Sequence, residues 1–224
     1  SDGGYLLAGY SHSGAEGDKS EATRGSSDYW AVKINADGAE VWDKRFGGSG
    51  TDECNAVVAT SDGGYLLAGR SISAPDGDKS EGSRGGYDYW AVKINASGAK
   101  VWDKRFGGSG VDDCQSVIAT SDGGYLLAGR SLSGADGDKS EASRGNWDYW
   151  AVKISASGAK VWDKRFGGSG IDLGKSVVAT TDGGYLLAGQ HKDGDGGDKS
   201  EETRGGDDYW AVKINASGAK VWDK

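Results

Sequence analysis

Apolar residues in this chain occur in short runs separated by glycine-rich turns, and the arrangement recurs every 60 residues. None of the runs has the spacing of three to four residues that an amphipathic helix requires. Each is rich in Val, Ile, Leu, Tyr or Trp, which are favoured in strands. The pattern therefore predicts four β-strands in each repeat, for example at 56–60, 65–69, 89–95 and 100–106.

Alternation within these runs predicts the core. Every second residue from Trp90 onward is apolar, so we expect this strand to have one apolar and one mixed face. We also expect Trp30, Trp42 and their equivalents in the other repeats to lie in the core. The turns at 61–64 and 96–98 supply Asp and Gly for the positive φ angles of tight hairpins.

The repeats are near-copies of one another. Positions 61–120 and 121–180 are identical at 48 of 60 places without any insertion, so the units must share one structure. The chain is therefore interpreted as a single repeat array, 1–224, with repeats at 1–60, 61–120, 121–180 and 181–224, the last of them incomplete.

Four antiparallel strands at a fixed spacing predict an all-β fold, a β-propeller whose four-stranded blades bury their faces against one another. The chain contains about four blades. It begins at the second strand of a blade, so we expect the first blade to lack its inner strand and the strand at 5–9 to have an unpaired edge. Exposed edges recruit other strands. We therefore expect self-association, or pairing with neighbouring repeats of a longer array, and not a closed monomeric ring.

Several motifs resemble those of known propeller and repeat proteins. Residues 93–102, Lys-Ile-Asn-Ala-Ser-Gly-Ala-Lys-Val-Trp, are similar to the hairpin-plus-tryptophan signature of quinoprotein-type propeller blades. Residues 60–64, Thr-Ser-Asp-Gly-Gly, resemble the start of an Asp-box turn, although Leu67 stands where that motif has an aromatic residue.

The whole unit resembles repeats of very large secreted proteins of gliding and biofilm-forming bacteria, several of them exported by the type IX route. Its phrases Gly-Asp-Lys-Ser-Glu, Asp-Tyr-Trp-Ala-Val-Lys and Trp-Asp-Lys-Arg-Phe-Gly-Gly-Ser-Gly carry this resemblance, which covers the entire chain. It implies an extracellular or cell-surface location and an adhesin-like or scaffolding role, and it supplies no catalytic residues.

Composition and charge narrow the choice of partners. The chain has 41 Gly, 9 Trp and 10 Tyr, so it is rich in turns and has enough aromatic surface to build a core. Its net charge of -8 would repel nucleic acid and an anionic membrane surface. No apolar run approaches the roughly 20 residues of a membrane-spanning helix, so membrane insertion is not expected. Cys54 and Cys114 share one repeat position, which is compatible both with a disulfide between adjacent blades and with two unpaired thiols.

Candidate binding residues lie in the long loops. In an antiparallel blade the connections at 71–87 and 107–115 share one face, and the repeats differ there while their strands hardly change. Tyr87 and Trp147 occupy one such variable position, where they could stack on a sugar ring or instead pack on a neighbouring blade. Recurring arginines of the same loops are further candidates for ligand binding: Arg24, Arg84, Arg144 and Arg204.

Charged residues recur in these loops as Gly-Asp-Lys-Ser-Glu-x-x-Arg-Gly-x-x-Asp-Tyr-Trp. Contacts between arginine and carboxylate, and bonds from Asp or Ser to backbone amides, would hold such a loop rigid. The alternative is a calcium ion, since carboxylates supply the hard oxygen ligands that Ca²⁺ prefers. The candidate calcium ligands are Asp18, Glu21, Asp28, Asp78, Glu81, Asp88, Asp138, Glu141, Asp148, Asp198, Glu201 and Asp208, with Asp193 and Asp195 as additions. No other cofactor is expected.

An enzyme is not expected, because a catalytic centre needs different groups that converge, whereas near-identical blades present the same group. His12 and His191 lack metal-ligand spacing and are predicted to be solvated loop residues. We therefore expect a non-enzymatic extracellular binding or adhesion module that binds carbohydrate through the long-loop face, with a glycan or a cell-surface protein as its partner. The alternative is a structural spacer or filament-forming segment of a larger cell-surface protein.

Overall fold

The computed structural model describes residues 3–192, 194, 196–201 and 205–224. These residues form fifteen β-strands and no helix, which confirms the all-β fold class. The described ranges accordingly contain no helical segment that is long and apolar enough to span a bilayer.

The strands form four antiparallel sheets, which we call blades 1 to 4. Blade 1 consists of β1 (Tyr5–Ser11), β2 (Asp28–Ile34) and β3 (Glu40–Phe46). Blade 2 consists of β4 (Asp52–Ala59), β5 (Tyr65–Ser71), β6 (Asp88–Ile94) and β7 (Lys100–Phe106). Blade 3 consists of β8 (Asp112–Ala119), β9 (Tyr125–Ser131), β10 (Asp148–Ile154) and β11 (Lys160–Phe166). Blade 4 consists of β12 (Ile171–Ala179), β13 (Tyr185–Lys192), β14 (Asp207–Ile214) and β15 (Lys220–Asp223).

Each blade is an up-and-down sheet in chain order, with its first strand innermost, as in a β-propeller. The inner strand of blades 2, 3 and 4 comes from the preceding repeat, so that Cys54 on β4 pairs with Gly69 on β5. The inner strands β4, β8 and β12 lie next to one another. Blade 1 has only three strands, and within the described part of the chain the inner edge of β1 has no partner strand, as predicted.

Tight turns close both hairpins of a blade. Between β4 and β5, Asp62 Oδ1 accepts hydrogen bonds from the Thr60 hydroxyl at 2.5 Å and the Gly64 amide at 3.1 Å. Gly63 adopts a φ of 79°, which a side chain would disfavour. Between β6 and β7, Asn95 Oδ1 accepts two backbone amides in the same manner. The sequence-predicted hairpins are therefore confirmed.

The middle blades are buried on both faces. All residues of β6 and of β10 are buried, so the apolar face and the mixed face of each strand both lie inside the array, as the packing of propeller blades requires. Each of these blades is packed between two others, a fact that a single repeat cannot show. Even Lys93 is only 3% exposed. Its burial is tolerated because its ammonium group donates to the Asp62 carboxylate at 2.9 Å and to the Ile94 carbonyl at 3.1 Å.

One aromatic contact recurs at every joint between blades. The Tyr29 hydroxyl donates to the Trp90 carbonyl at 2.9 Å, and the two rings lie 4.8 Å apart. The pair therefore combines ring packing with a hydrogen bond to a buried carbonyl. Its equivalents at the next two joints are Tyr89 with Trp150 and Tyr149 with Trp210.

The tryptophans of neighbouring strands differ in burial. Trp90 and Trp150 are fully buried, as predicted. Trp42, Trp102 and Trp162 are only half-buried and pack against the edge of the core, whereas Trp222 is 43% exposed, so the prediction that this second set belongs to the core is confirmed only in part. The outermost strand of a blade has a neighbouring strand on one side only, and the Trp42 ring lies against the turn at Gly98 of the next blade.

Cys54 and Cys114 are buried, free thiols, so the disulfide alternative is excluded. The Cys54 thiol donates to the carbonyls of Ala56 and Ala68 at 3.5 and 3.7 Å. Burial raises the pKa of Cys54 to about 12 and also raises the pKa of Cys114. Both residues therefore stay protonated and unreactive at neutral pH.

Candidate ligand-binding face

The long loops lie on one face of the blade array, as predicted. This long-loop face consists of the β1–β2, β5–β6 and β9–β10 loops and the described residues of the β13–β14 loop, together with the connections between blades. The loops and connections are hydrogen-bonded to each other: the Asp78 amide donates to the Gly47 carbonyl at 3.0 Å, and the Gly86 amide to the Gly110 carbonyl at 2.8 Å. The face is therefore one continuous surface.

Recurring arginines on this face join neighbouring blades. Arg24 Nη1 donates to Asp78 Oδ2 at 2.6 Å and to the Gly47 carbonyl at 3.0 Å. The same ion pair recurs between Arg84 and Asp138 at 2.7 Å and between Arg144 and Asp198 at 3.0 Å. These guanidinium groups, predicted to bind ligand, are thus engaged in the blade joints. Arg204 lies outside the described residues.

Most of the candidate calcium ligands are likewise engaged with cations or backbone amides. Arg45 Nη2 donates to Glu21 at 2.9 Å, and the buried Asp28 accepts the Arg24 amide at 2.7 Å. Equivalent contacts join Glu81 to Arg105, Glu141 to Arg165, Asp88 to Arg84 and Asp148 to Arg144. Of the rest, Glu201 accepts a bond from Lys224, Asp208 lines a pocket with His191, and Asp18 is exposed on blade 1.

Nowhere in the described part of the chain do three or more carboxylate, His or Cys groups converge as a metal site. The recurring charges instead connect loops and blades, which favours the rigidifying role among the two alternatives. Asp193 and Asp195 lie outside the described residues. A calcium site stays a prediction of the sequence alone.

A second carboxylate, which the sequence analysis did not single out, faces the buried Asp at each joint. Asp112 is fully buried beside Asp88, and a Cβ on the intervening Gly107 would touch both side chains. Burial, and then the Asp112 charge, raise the pKa of Asp88 to about 6 against the opposing effect of its hydrogen bonds. Burial likewise raises the pKa of Asp148, which faces Asp172, to about 6.

Tyr87 of blade 2 forms a cation–π pair. The guanidinium carbon of Arg70 lies 4.5 Å from the Tyr87 ring centre, and Arg70 Nε donates to Glu53 Oε2 at 2.8 Å. Arg70 belongs to the same blade, so its contact with Tyr87 differs from both alternatives considered for this residue, an open stacking platform and packing on a neighbouring blade. One face of the half-buried ring is covered by Arg70.

Trp147 of blade 3 is held in the same way. The guanidinium carbon of Arg130 lies 4.9 Å from the Trp147 ring centre, and Arg130 Nη2 donates to Asp113 at 2.7 Å. Asp113 also lies 3.7 Å from Arg70 Nη1, so it links the two pairs across the joint. We call this set the arginine–aromatic cluster: Glu53, Arg70, Tyr87, Asp113, Arg130 and Trp147.

Amide and ammonium groups border the arginine–aromatic cluster. Gln115 Nε2 donates to Asp113 Oδ1 at 2.8 Å, and Asn55 Nδ2 donates to the Cys114 carbonyl at 2.8 Å. Burial, and then the charge of Arg130, lower the pKa of Lys175, so this lysine lies close to the cluster. With Lys175 included, the cations of this region outnumber its carboxylates, in contrast to the acidic chain as a whole.

The sequence analysis identified the two aromatic residues but missed their partners. The positions of Arg70 and Arg130 hold Tyr10 in blade 1 and Gln190 in blade 4, and the position of Glu53 and Asp113 holds Leu173 in blade 4. These differences were visible in the repeat comparison. They were overlooked because they lie in strands, and only the strand register brings their ends to the long-loop face.

The two histidines lie in different environments. His191 lies in β13, is fully buried, and has its Nδ1 at 2.5 Å from Asp172 Oδ1, so the prediction of a solvated loop residue is wrong for it. The loop position was misjudged because the strand extends to Lys192 in blade 4. His12 is exposed in the loop after β1, as predicted, with Nδ1 at 2.9 Å from the Ser26 carbonyl oxygen.

Comparison with known proteins gives only distant structural likenesses. No family model matches the chain, and no curated protein matches it. A protein of unknown function from Bacteroides caccae aligns with 17% identity and a TM-score of 0.45 over 87% of this chain and 68% of its own. Apocarotenoid oxygenase from Synechocystis aligns with 12% identity and a TM-score of 0.43 over 88% and 46%. BamB from Moraxella catarrhalis aligns with 13% identity and a TM-score of 0.35 over 92% and 65%. Likeness at this level transfers no fold, activity or ligand to this chain.

Proposed function

We propose that this chain is a non-enzymatic binding module that takes carbohydrate at the arginine–aromatic cluster. One observation carries the proposal: positions that differ between repeats converge at this cluster, whereas residues common to all repeats form turns, core and joints. A ligand site needs several different groups in one place. The cluster is where the near-identical blades provide them.

The chemistry of the cluster suits a sugar. Arg70 and Arg130 remain partly exposed, and their N–H groups beside Glu53 and Asp113 offer donors and acceptors to hydroxyl groups. Tyr87 and Trp147 add rigid apolar surface at low entropic cost. Because cations outnumber carboxylates here, sugars that carry a carboxylate should bind more tightly than neutral ones.

We further propose that the module acts outside the cell as an adhesin-like element of a larger protein. The support is the resemblance of its repeats to those of large secreted bacterial proteins, including type IX cargo. Repetition of weak sites in such a protein would strengthen attachment by multivalency. The alternative role of a structural segment is favoured by the open ends of the blade array, where surfaces that are buried at the internal joints are exposed.

A glycan array that includes neutral and acidic oligosaccharides tests the proposed function. We expect the folded chain to bind, and Tyr87→Ala and Trp147→Ala each to weaken binding by about tenfold or more. Asp207→Ala is the matched control, because it changes the same repeat position in blade 4, outside the cluster. If the parent chain bound no glycan, or if the control lost as much affinity as the two variants, the proposal would fail.

A further inference from the structure

The two ends of the blade array expose surfaces that are buried at every internal joint. On blade 1, Leu7 is 53% exposed, whereas its equivalent Leu67 is 0% exposed. On blade 4, Tyr209 is 94% exposed, whereas its equivalent Tyr149 is 0% exposed. We call the first surface the leading face, with Leu7, Gly9, Trp30, Val32 and Ile34, and the second the trailing face, with Val178, Tyr209 and Trp222.

The leading face has an open site for a tyrosine hydroxyl. At the joint between blades 1 and 2, a Cβ on Gly69 would lie 2.8 Å from Tyr29 Oη, and the same hydroxyl donates to the Trp90 carbonyl. Around Gly9, the equivalent of Gly69, a Cβ would meet no described atom within 4 Å. The tyrosine that every other blade receives from its predecessor is therefore missing on blade 1.

The trailing face carries the side chains that match this open site. Tyr209 occupies the repeat position of Tyr29 and projects almost entirely into solvent. Trp222 occupies the position of Trp42, whose ring lies 3.2 Å from where a Cβ on Gly98 would stand. Gly38, the equivalent of Gly98 on blade 1, has no described atom within 4 Å of such a Cβ.

The leading face also lacks the ion pair that occurs at every internal joint. Asp78, Asp138 and Asp198 each accept an arginine from the preceding blade. Asp18 occupies their position on blade 1, is exposed, and forms no hydrogen bond or ion pair with any described residue. At the blade 1 end of the array, neither the apolar nor the charged contacts of a joint are formed.

We propose that a second copy of this chain docks head to tail, its trailing face against the leading face of the first. The new joint repeats the internal ones, with Tyr209 of one copy on Trp30 and Gly9 of the next, and Trp222 over Gly38. Because the two faces differ, the contact is heterologous and leads to a closed ring or a longer assembly. This association does not depend on the proposed carbohydrate binding.

The oligomeric state of the 224-residue chain in solution tests this inference. Sedimentation equilibrium should show a mass that rises with concentration. Tyr209→Arg and Gly9→Leu should each weaken association by about tenfold or more, because the first puts a charge into the joint and the second fills the hydroxyl site. Neither should unfold the chain, since both positions face open space in the single chain. Val101→Arg, which charges a 57% exposed valine on the outer strand of blade 2, is the matched control.

Mixing the two variants distinguishes head-to-tail docking from any symmetric contact. The Gly9→Leu copy keeps an intact trailing face, and the Tyr209→Arg copy keeps an intact leading face. Head-to-tail docking therefore predicts that the mixture forms a one-to-one complex that neither variant forms alone. A parent chain that stays monomeric at all concentrations, variants that associate as the parent does, or a mixture that shows no complex would overturn the proposal.

Discussion

Asp88 and Asp112 are two carboxyl groups buried side by side in the joint between blades 2 and 3. The pKa of Asp88 is about 6 in the folded protein, above its ordinary value of 3.8. A group whose pKa is raised by folding contributes stability at low pH, and this contribution is lost as the pH rises through the folded value. Ionisation of Asp88 therefore lowers the free energy of unfolding progressively as the pH rises from about 4 to about 7.

Replacing Asp88 with asparagine should remove this pH dependence. Relative to the parent, Asp88→Asn should gain about 2 kcal/mol in free energy of unfolding between about pH 4.5 and 7.5. Urea denaturation at the two pH values measures the change. Asp122→Asn is the control: hydrogen bonds from Lys153 and Thr120 lower the pKa of Asp122 to about 2, so its effect should be constant over this range. A constant effect for Asp88→Asn as well would contradict the burial argument.

At the scale of elements, the long loops keep their shape through ion pairs and hydrogen bonds that cross from one blade to the next. Arg84 Nη1 donates to the Gly107 carbonyl at 3.1 Å and to Asp138 of the following loop at 2.7 Å. Its backbone amide donates to the buried Asp88 at 2.8 Å. One arginine thus contacts its own loop, the connection between blades and the next loop.

Arg84→Ala should loosen two loops and not one. Exposed ion pairs contribute up to about 1 kcal/mol, so amide hydrogen exchange should become about fivefold faster across 72–87 and also across 132–147. Arg24→Ala is a matched comparison, because it should move the effect one blade back, to 12–27 and 72–87, and leave 132–147 protected. Unchanged exchange across 72–87 in Arg84→Ala would show that the arginine has no role in loop rigidity.

At the scale of the whole molecule, the position of a blade in the array decides how much of it is buried. Trp90 and Trp30 occupy the same repeat position, and each indole donates to an aspartate of its own blade at 3.1 Å. Trp90 is fully buried because blade 1 covers it, whereas Trp30 is only half-buried. The same local sequence therefore contributes different amounts to the free energy of unfolding in different blades.

The cost of truncating these tryptophans should follow their position. Trp90→Ala should lower the free energy of unfolding by about 3 to 5 kcal/mol, and Trp30→Ala by roughly half as much. Chemical denaturation, at protein concentrations too low for association, measures both. Equal costs for the two variants would contradict the view that neighbouring blades supply the burial, and a cost below about 1 kcal/mol for Trp90→Ala would show that this side chain is not core.

Prediction from sequence worked best where the determinants are local. The fourth strand of the repeat was predicted at 100–106 and lies at Lys100–Phe106, and the turn at 61–64 closes as expected. For the candidate site, sequence identified Tyr87 and Trp147 as variable loop residues. It did not identify Arg70, because its contact with Tyr87 depends on the register between β5 and β6.

The sequence by itself determined the repeat, the strands and the hairpins, because alternation, Asp62 and Gly63 act within a few residues of chain. Only the tertiary structure decided that His191 is enclosed and that the loop arginines connect blades. It also decided that Tyr209 is exposed although its three equivalents are buried. In each case the deciding partner lies on another strand or in the next blade, and in the Tyr29–Trp90 pair it is 61 residues away. A near-identical local sequence cannot indicate whether that partner is present.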